Sequence, residues 1–172
     1  MQTFICQICG DAYIGEERPK NCPFCGAREH FIKNGKEALP ITIQEFELGE
    51  VSRENLEETL KLEMHANAIY LCMAGKAKSY EIKAMYKRLA KVELEHANIA
   101  CKLMKISLPE SKAELCSDEE VANFTETIRL EENASALYGK FAQEATEQQI
   151  KILFTALMQV EADHIQLIKK YL

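Results

Sequence analysis

The sequence predicts a mainly α-helical fold, in which a four-helix bundle follows a small N-terminal module built on four cysteines. Three observations predict it. Four of the seven cysteines lie within the first 25 residues, whereas glycine and proline are rare beyond Ser52. In that later part a Glu-x-x-His motif occurs twice, each time on an apolar stripe of helical period. The 172 residues, 47% of them hydrophobic, suffice for one small and one medium domain.

Composition and charge exclude several classes of function. Lys and Arg number 21 against 27 Asp and Glu, and the resulting net charge of −6 is opposite to the basic surface of nucleic-acid-binding proteins. No apolar run approaches the roughly 20 residues that a membrane helix needs. The segment from Met1 to Cys6 lacks the features of a secretory signal. We therefore expect a soluble cytoplasmic protein with no nucleic-acid partner and no membrane partner.

The chain divides into three parts. Residues 1–35 contain the clustered cysteines and are too few to fold on a hydrophobic core alone, so a metal ion must stabilise them. Residues 36–51 contain Pro40 and Gly49 around a short alternating stretch, which predicts an extended linker. Residues 52–172 contain only two glycines and one proline, which predicts a helical domain.

Capping residues predict where the helices begin. Ser52, Ser79, a capping box at Ser117 and another at Thr146 each mark a helix start. Pro109 marks the longest break, between the second and third helices. The expected arrangement is two helix hairpins joined by a longer crossover. The four predicted helices span residues 52–78, 80–106, 117–145 and 147–171.

The N-terminal cysteines form two Cys-x-x-Cys-Gly motifs, which end at Gly10 and Gly26. Each motif can form a tight knuckle that points two thiolates at one ion. Its glycine is free to adopt a positive φ that brings backbone amides near the sulfurs. Four thiolates favour Zn²⁺ or a tetrahedral iron centre, and this segment alone does not distinguish the two metals. The predicted ligands are Cys6, Cys9, Cys22 and Cys25.

The helical part contains an internal repeat of 68 residues. In each copy a Glu-x-x-His motif places its carboxylate and imidazole on one helix face, and another glutamate lies 30 residues before the motif. All of these side chains lie on apolar stripes, so we expect them to face the interior of one bundle. The six repeated donors are Glu63, Glu93, His96, Glu131, Glu161 and His164.

Four buried carboxylates require a source of positive charge. An unpaired buried carboxylate is strongly destabilising, whereas two divalent cations would balance four negative charges. One glutamate from each of two helices, together with Glu-x-x-His from each of the other two, is the pattern of di-iron and di-manganese carboxylate proteins. A solvated ion pair is the alternative for a single Glu-x-x-His motif, but two motifs in register favour a metal site.

Several other residues have more than one interpretation. Tyr70 and Tyr138 follow Glu63 and Glu131 by seven residues, so they are either ordinary core tyrosines or hydrogen-bond partners of the ligand carboxylates. His30 and His65 lie outside the repeat and are expected at the surface. An odd number of cysteines without an export signal is not typical of a disulfide framework. We therefore interpret the remaining three as buried or inactive thiols: Cys72, Cys101 and Cys116.

Together these motifs resemble the rubrerythrins over nearly the whole chain. The cysteine module resembles rubredoxin and comes first, whereas it comes last in the commoner rubrerythrins, so the chain resembles the reversed-order type. The resemblance implies a ferritin-like bundle behind a rubredoxin-like module. It implies one iron held by the four clustered cysteines and a carboxylate-bridged di-iron centre at the six repeated donors, with Tyr70 and Tyr138 beside it. Zinc is the alternative metal at either site.

The resemblance also implies an activity and partners. Rubrerythrins reduce hydrogen peroxide to water in oxygen-sensitive cells, and their electrons come from an NAD(P)H-dependent reductase through the cysteine-bound iron. We therefore expect a peroxidase-type oxidoreductase that acts on hydrogen peroxide or oxygen, with Glu93 and Glu161 as bridging ligands. A homodimer or tetramer is expected. In such dimers one subunit's cysteine module lies near the other subunit's di-iron site.

One position departs from the family pattern. Well-studied rubrerythrins have a further glutamate three residues after the ligand on the third helix, where this chain has Ala134. Without that glutamate the expected metal site is more symmetric than in those rubrerythrins, and it is more similar to ferritin-like and bacterioferritin-like centres. This favours an alternative function, a ferroxidase that handles iron and holds a structural zinc in the four-cysteine site. A redox or metal-stress sensor with a partner-binding zinc knuckle is a third, non-enzymatic alternative.

Overall fold

The computed structural model describes all 172 residues and contains a three-stranded antiparallel sheet followed by four long helices. The strands are β1 (Gln2–Cys6), β2 (Ala12–Gly15) and β3 (Ile32–Asn34), and the helices are α1 (Glu50–Lys76), α2 (Tyr80–Met104), α3 (Glu120–Glu144) and α4 (Gln148–Ile168). β1 lies in the centre of the sheet, between β2 and β3. The predicted fold class, four helices behind a small cysteine module, is confirmed.

The helices form two antiparallel hairpins. α1 packs along α2 and α3 packs along α4, and α1 also contacts α3. Short turns close both hairpins, and the segment of residues 105–119 crosses from the first hairpin to the second, as Pro109 predicted. None of the helices combines the length and hydropathy that crossing a membrane requires.

Of the four predicted helix starts, the one at Ser79 is confirmed. Its hydroxyl accepts a hydrogen bond from the backbone amide of Ile82 at 3.1 Å. The other three are wrong. Ser52 lies inside α1, and neither Ser117 nor Thr146 caps the helix that follows it. Ser117 instead closes a turn before α3, where its hydroxyl accepts from the amide of Glu119 at 3.0 Å.

A single carboxylate explains the beginning of α1. Glu147, which directly precedes α4, accepts the backbone amide of Gly49 at 2.6 Å and the hydroxyl of Ser52 at 2.7 Å. Burial acts to raise the pKa of Glu147, but these hydrogen bonds lower it below the ordinary value. A partner that lies 95 residues away in the chain is invisible to local capping rules, so the sequence prediction missed it.

The cysteine module and the bundle share one hydrophobic core. The predicted linker between them is not extended throughout, because it contains short 3₁₀ turns at Gly35–Glu37 and Ile41–Ile43. Ile41 is buried and its amide donates to the carbonyl of Gln7 at 2.8 Å. The linker is therefore packed against the module, whose apolar residues contact those of the helices. The shared cluster includes Phe4, Ile8, Ile41, Leu56, Ile99 and Phe154.

The prediction that Cys72 and Cys116 are inactive thiols is wrong, because they form a disulfide. Cys72 lies on α1 and Cys116 in the crossover, 44 residues further along the chain. Lys76 strengthens the same attachment, since its ammonium donates to the carbonyl of Cys116 at 2.7 Å and pairs with Asp118 at 2.9 Å. Cys101 remains an unpaired, buried thiol, as predicted.

Replacing Cys72 and Cys116 together by serine should lower the free energy of unfolding by about 2–4 kcal/mol, because the disulfide closes a long loop and restricts the unfolded chain. Urea unfolding of the metal-loaded protein, with and without a thiol reductant, measures this loss. The wild type should lose stability on reduction, whereas the double variant should be insensitive to the reductant. Equal midpoints for the two proteins under oxidising conditions would contradict the prediction.

Candidate metal centres

The four N-terminal cysteines lie in one buried cluster, and none is more than 4% exposed. The sulfurs of Cys6 and Cys25 are 3.7 Å apart, and so are those of Cys9 and Cys22. A tetrahedral ion with metal–sulfur bonds of about 2.3 Å separates its sulfurs by about 3.8 Å. The cluster therefore has the donor set and the spacing for one tetrahedral ion, which would be held by all four cysteines.

The backbone of each knuckle has the predicted conformation. Gly10 has a φ of 86° and Gly26 a φ of 77°, which are left-handed values that favour glycine. In the first knuckle the amide of Ile8 donates to the sulfur of Cys6 at 3.4 Å. Such N–H···S hydrogen bonds stabilise the negative charge of a thiolate bound to a metal.

Gly26 also allows the module to approach the bundle. A Cβ atom at this position would lie 2.8 Å from Cγ1 of Val160, on α4. Gly26→Ala combines this clash with an unfavourable φ and should lower the free energy of unfolding by about 2 kcal/mol. Gly75→Ala is the matched control, since Gly75 is helical and has nothing within 4 Å. It should be neutral or stabilising by up to about 1 kcal/mol. Chemical denaturation measures both, and equal effects would contradict the close approach.

The six repeated donors lie together in the interior of the bundle. Five of them are at most 3% exposed, and His164 is 8% exposed. Their ligand atoms form two groups of four, and within each group all atoms lie within 4.8 Å of one another. The predicted convergence of four carboxylates is thus confirmed. One group contains Glu63, Glu93, His96 and Glu161, and the other contains Glu93, Glu131, Glu161 and His164.

Glu93 and Glu161 belong to both groups. Glu93 places one oxygen 3.1 Å from Nδ1 of His96 and the other 3.3 Å from Nδ1 of His164. Glu161 likewise places one oxygen 3.5 Å from Nδ1 of His96 and the other 3.1 Å from Nδ1 of His164. Each carboxylate therefore directs one oxygen towards each imidazole, which is the disposition of a carboxylate that bridges two ions.

The centre of this cluster contains polar atoms without hydrogen-bond partners. They are both carboxylate oxygens of Glu93, both of Glu161, and Nδ1 of His96 and His164. Buried polar atoms without partners are rare and destabilising in native proteins. Two divalent cations would coordinate all six atoms and balance the four negative charges. The residues present therefore fit a pair of metal ions.

The two outer glutamates each accept a hydrogen bond from a buried tyrosine. The hydroxyl of Tyr70 donates to Glu131 at 2.7 Å, and that of Tyr138 donates to Glu63. Each tyrosine thus contacts the glutamate of the other hairpin, and the pairs cross the bundle. Burial raises the pKa of both tyrosines well above the ordinary value, so they remain protonated donors. Of the two interpretations of these tyrosines, hydrogen bonding to the carboxylates is the one observed.

Without cations, protons must neutralise the cluster. Burial raises the pKa of Glu93 to about 7 and that of Glu161 well above its usual range. Burial acts to lower the pKa of His96, but Glu63 and the other carboxylates raise it well above the ordinary value. Burial also acts to lower the pKa of His164, but Glu93 and Glu131 raise it well above the ordinary value. Metal ions and protons therefore compete for the same site.

A hydrogen bond connects the two clusters within one chain. Nε2 of His96 lies 2.9 Å from the carbonyl oxygen of Cys25. Since that oxygen only accepts, Nε2 carries a proton, and Nδ1 is the nitrogen that faces the carboxylates and would lose its proton to bind a metal ion. The sequence did not predict this contact, because it joins groups 71 residues apart.

Arginine side chains attach the module to the bundle, and the sequence prediction missed them too. Arg28 forms a bidentate ion pair with Asp163 at 3.0 and 2.8 Å. Arg88 donates to the carbonyl of Phe24 at 3.1 Å and to that of Pro23. No motif marks these arginines in the sequence. The partner of Arg28 lies 135 residues away in the chain, and the partners of Arg88 are backbone carbonyls.

The remaining histidines lie away from both clusters. His30 is exposed, as predicted. His65 is partly exposed, and its Nδ1 lies 3.0 Å from a carboxylate oxygen of Glu114 in the crossover segment.

Comparison with known proteins agrees with this architecture. Residues 4–32 match the rubredoxin-like domain of rubrerythrin, and residues 54–127 match the rubrerythrin family model. Reverse rubrerythrin-1 of Clostridium acetobutylicum is 32% identical over 113 residues, which cover 60% of this chain and 62% of that relative. The second family match ends before Glu131, so the later donors are identified by the internal repeat and by their position in the structure.

The fold and the two clusters define a class of protein, a carboxylate-rich helical bundle that carries a four-cysteine module. The domain matches and their order define it further. The chain contains a rubredoxin-like domain followed by a rubrerythrin domain, and it shares this reversed order with the reverse rubrerythrin that it matches.

Proposed function

We propose that this protein is a non-haem iron peroxidase, in which the six repeated donors hold two iron ions and the four clustered cysteines hold a third. The observation that carries the proposal is the hydrogen bond from His96 to the carbonyl of Cys25. It places a donor of the carboxylate cluster in direct contact with a donor residue of the cysteine cluster. A protein that only stored iron would have no need for an attached one-electron carrier.

The reaction takes up two electrons and two protons for each hydrogen peroxide and releases two water molecules. Iron held by the six repeated donors would supply the electrons for cleavage of the O–O bond. The protein fixes the donors for this chemistry: Tyr70 and Tyr138 hold the outer carboxylates, and the carbonyl of Cys25 holds the imidazole of His96. The electron source in this proposal is an NAD(P)H-dependent reductase that acts at the cysteine module.

The relay between the two clusters requires no second subunit. Cys25 and His96 belong to the same chain, and the interactions of Arg28 and Arg88 hold the module against its own bundle. We propose that electrons pass within one protomer, and that a homodimer or tetramer serves another purpose.

Rapid mixing of the fully reduced protein with hydrogen peroxide, and separately with oxygen, tests the proposed activity. Oxidation should be faster with peroxide, and the absorbance of ferric thiolate should then rise as the ferrous iron of the cysteine cluster gives its electron to the bundle. Cys22→Ser is the control variant, since it alters the cysteine cluster alone. It should still oxidise once but should not be re-reduced through the module. Oxidation by peroxide no faster than by oxygen would overturn the proposal.

One observation favours a second candidate, a ferroxidase with a structural zinc in the cysteine module. The two donor groups have the same composition, and the position of the extra rubrerythrin glutamate is Ala134. The mass of the assembly separates the candidates, because iron storage needs a large cage whereas a peroxidase does not. Colour also separates them, since a zinc–thiolate site is colourless and a ferric one is red.

A further inference from the structure

A groove runs along the boundary between the cysteine module and the bundle. Cys22 lines it from the module side. Aliphatic side chains of α2 and α4 form most of the opposite wall, and His164 lies among them. The aliphatic residues are Leu89, Val92, Val160 and Leu167. This boundary groove is therefore in contact with donors of both clusters.

The two histidines of the repeat differ in their relation to this groove. Their Nδ1 atoms have equivalent carboxylate neighbours, but only His96 uses its Nε2, which contacts Cys25. Nε2 of His164 makes no hydrogen bond, and the side chain is 10% exposed, against 0% for His96. The other donor side chains are at most 4% exposed. His164 is thus the edge of the cluster nearest to solvent.

Polar interactions flank the groove. Arg88 lines the groove and donates to the backbone of the module, and Asp163, which also lines the groove, pairs with Arg28. Both cations are engaged with acceptors, and the wall between them is aliphatic. The groove therefore offers little attraction to an ion, whereas it presents no charge barrier to a small neutral molecule.

We infer that the boundary groove is the route by which a small uncharged oxidant, of the size of hydrogen peroxide, reaches the carboxylate cluster at His164. The repeat is then divided in function: the His96 side receives electrons from the cysteine module, and the His164 side receives the oxidant. Leu167, which is partly exposed, sets the size limit at the wall of the groove. This inference rests on the proposed function.

Binding of nitric oxide to the diferrous protein tests the route without relying on turnover. Nitric oxide is small and uncharged, and its association is followed by absorbance in an anaerobic stopped-flow instrument. Leu167→Phe should slow association by on the order of tenfold, because the larger ring fills the groove. Leu103→Phe is the matched control: Leu103 is also a partly buried helical leucine, but it does not line the groove. It should leave the rate unchanged.

A second variant should not slow association. Arg28→Gln removes the ion pair with Asp163 and should leave association as fast as in the wild type or faster. Metal content and thermal unfolding establish that each variant is loaded and folded. Equal rates for Leu167→Phe and the wild type, with equal metal content, would overturn the route alone. Absence of any nitric oxide adduct in the wild type would instead overturn the proposed function, and the route with it.

Discussion

Removal of the metal ions should reverse the direction in which the stability of the protein changes with pH. In the metal-free protein, burial raises the pKa of Glu93 to about 7 and that of Glu161 well above its usual range. A group whose pKa is higher in the folded state contributes stability below its unfolded pKa and loses it as the pH rises through the folded pKa. His96 and His164, whose pKa values are also raised, act in the same direction.

The free energy of unfolding of the metal-free protein should therefore fall as the pH rises from about 5 to 8. The rise in the pKa of Glu93 from its ordinary 4.5 to about 7 corresponds to on the order of 3 kcal/mol. Glu131 does not oppose this trend, because its lowered pKa gives a contribution that is lost only in acid. Metal binding needs deprotonated ligands, so the metal-loaded protein should gain stability over the same range.

Chemical denaturation at several pH values, with a chelator and with saturating metal under anaerobic conditions, measures the two trends. The curves should have opposite slopes between pH 5 and 8, and the benefit of metal should be greatest at the alkaline end. Parallel curves would show that protons do not replace cations in the cluster.

Glu161→Gln should remove both ions of the carboxylate cluster, whereas Glu131→Gln should remove one. The reason is that Glu161 directs an oxygen to each imidazole, while Glu131 belongs to one donor group only. The loss of affinity should exceed the roughly 10–100-fold that loss of an outer hydrogen-bond partner costs. Bound metal per chain, measured by native mass spectrometry, should fall from three to one in the first variant and from three to two in the second.

The same substitution has an opposite effect on the metal-free protein, which controls for misfolding. Glu161→Gln replaces a buried carboxyl, which without cations must either take up a proton or remain as a costly charge, by a neutral amide, so the metal-free variant should be more stable than the metal-free wild type at pH 8. A variant that loses metal and stability together would point to a damaged fold. Equal metal loss in Glu161→Gln and Glu131→Gln would contradict the bridging role.

The sequence was most informative where a pattern repeats. The paired Cys-x-x-Cys-Gly motifs predicted both the cysteine cluster and the positive φ of Gly10 and Gly26. The 68-residue repeat predicted that the carboxylates and imidazoles converge, because equal spacing on apolar helix faces leaves them one common interior. These inferences needed local geometry alone.

The failures share a different cause. The carboxylate of Glu147 replaced the predicted cap at Ser52, and the disulfide joined Cys72 to Cys116 across a long separation. In each case the deciding partner is distant in the chain, and no periodicity marks it. The repeat also concealed a difference, since it predicts equivalent histidines, whereas only His96 contacts the cysteine module. Asymmetry of this kind arises from the packing of one domain on another.

The central claim is that the buried donors of the bundle hold two divalent ions in addition to the one in the cysteine cluster. Anaerobic titration of the metal-free protein with ferrous iron, followed by native mass spectrometry, tests it most directly. The account predicts three ions per chain, and two in a variant with Cys22 and Cys25 replaced by serine. Saturation at one ion per chain in the wild type, or at none in that variant, would contradict it.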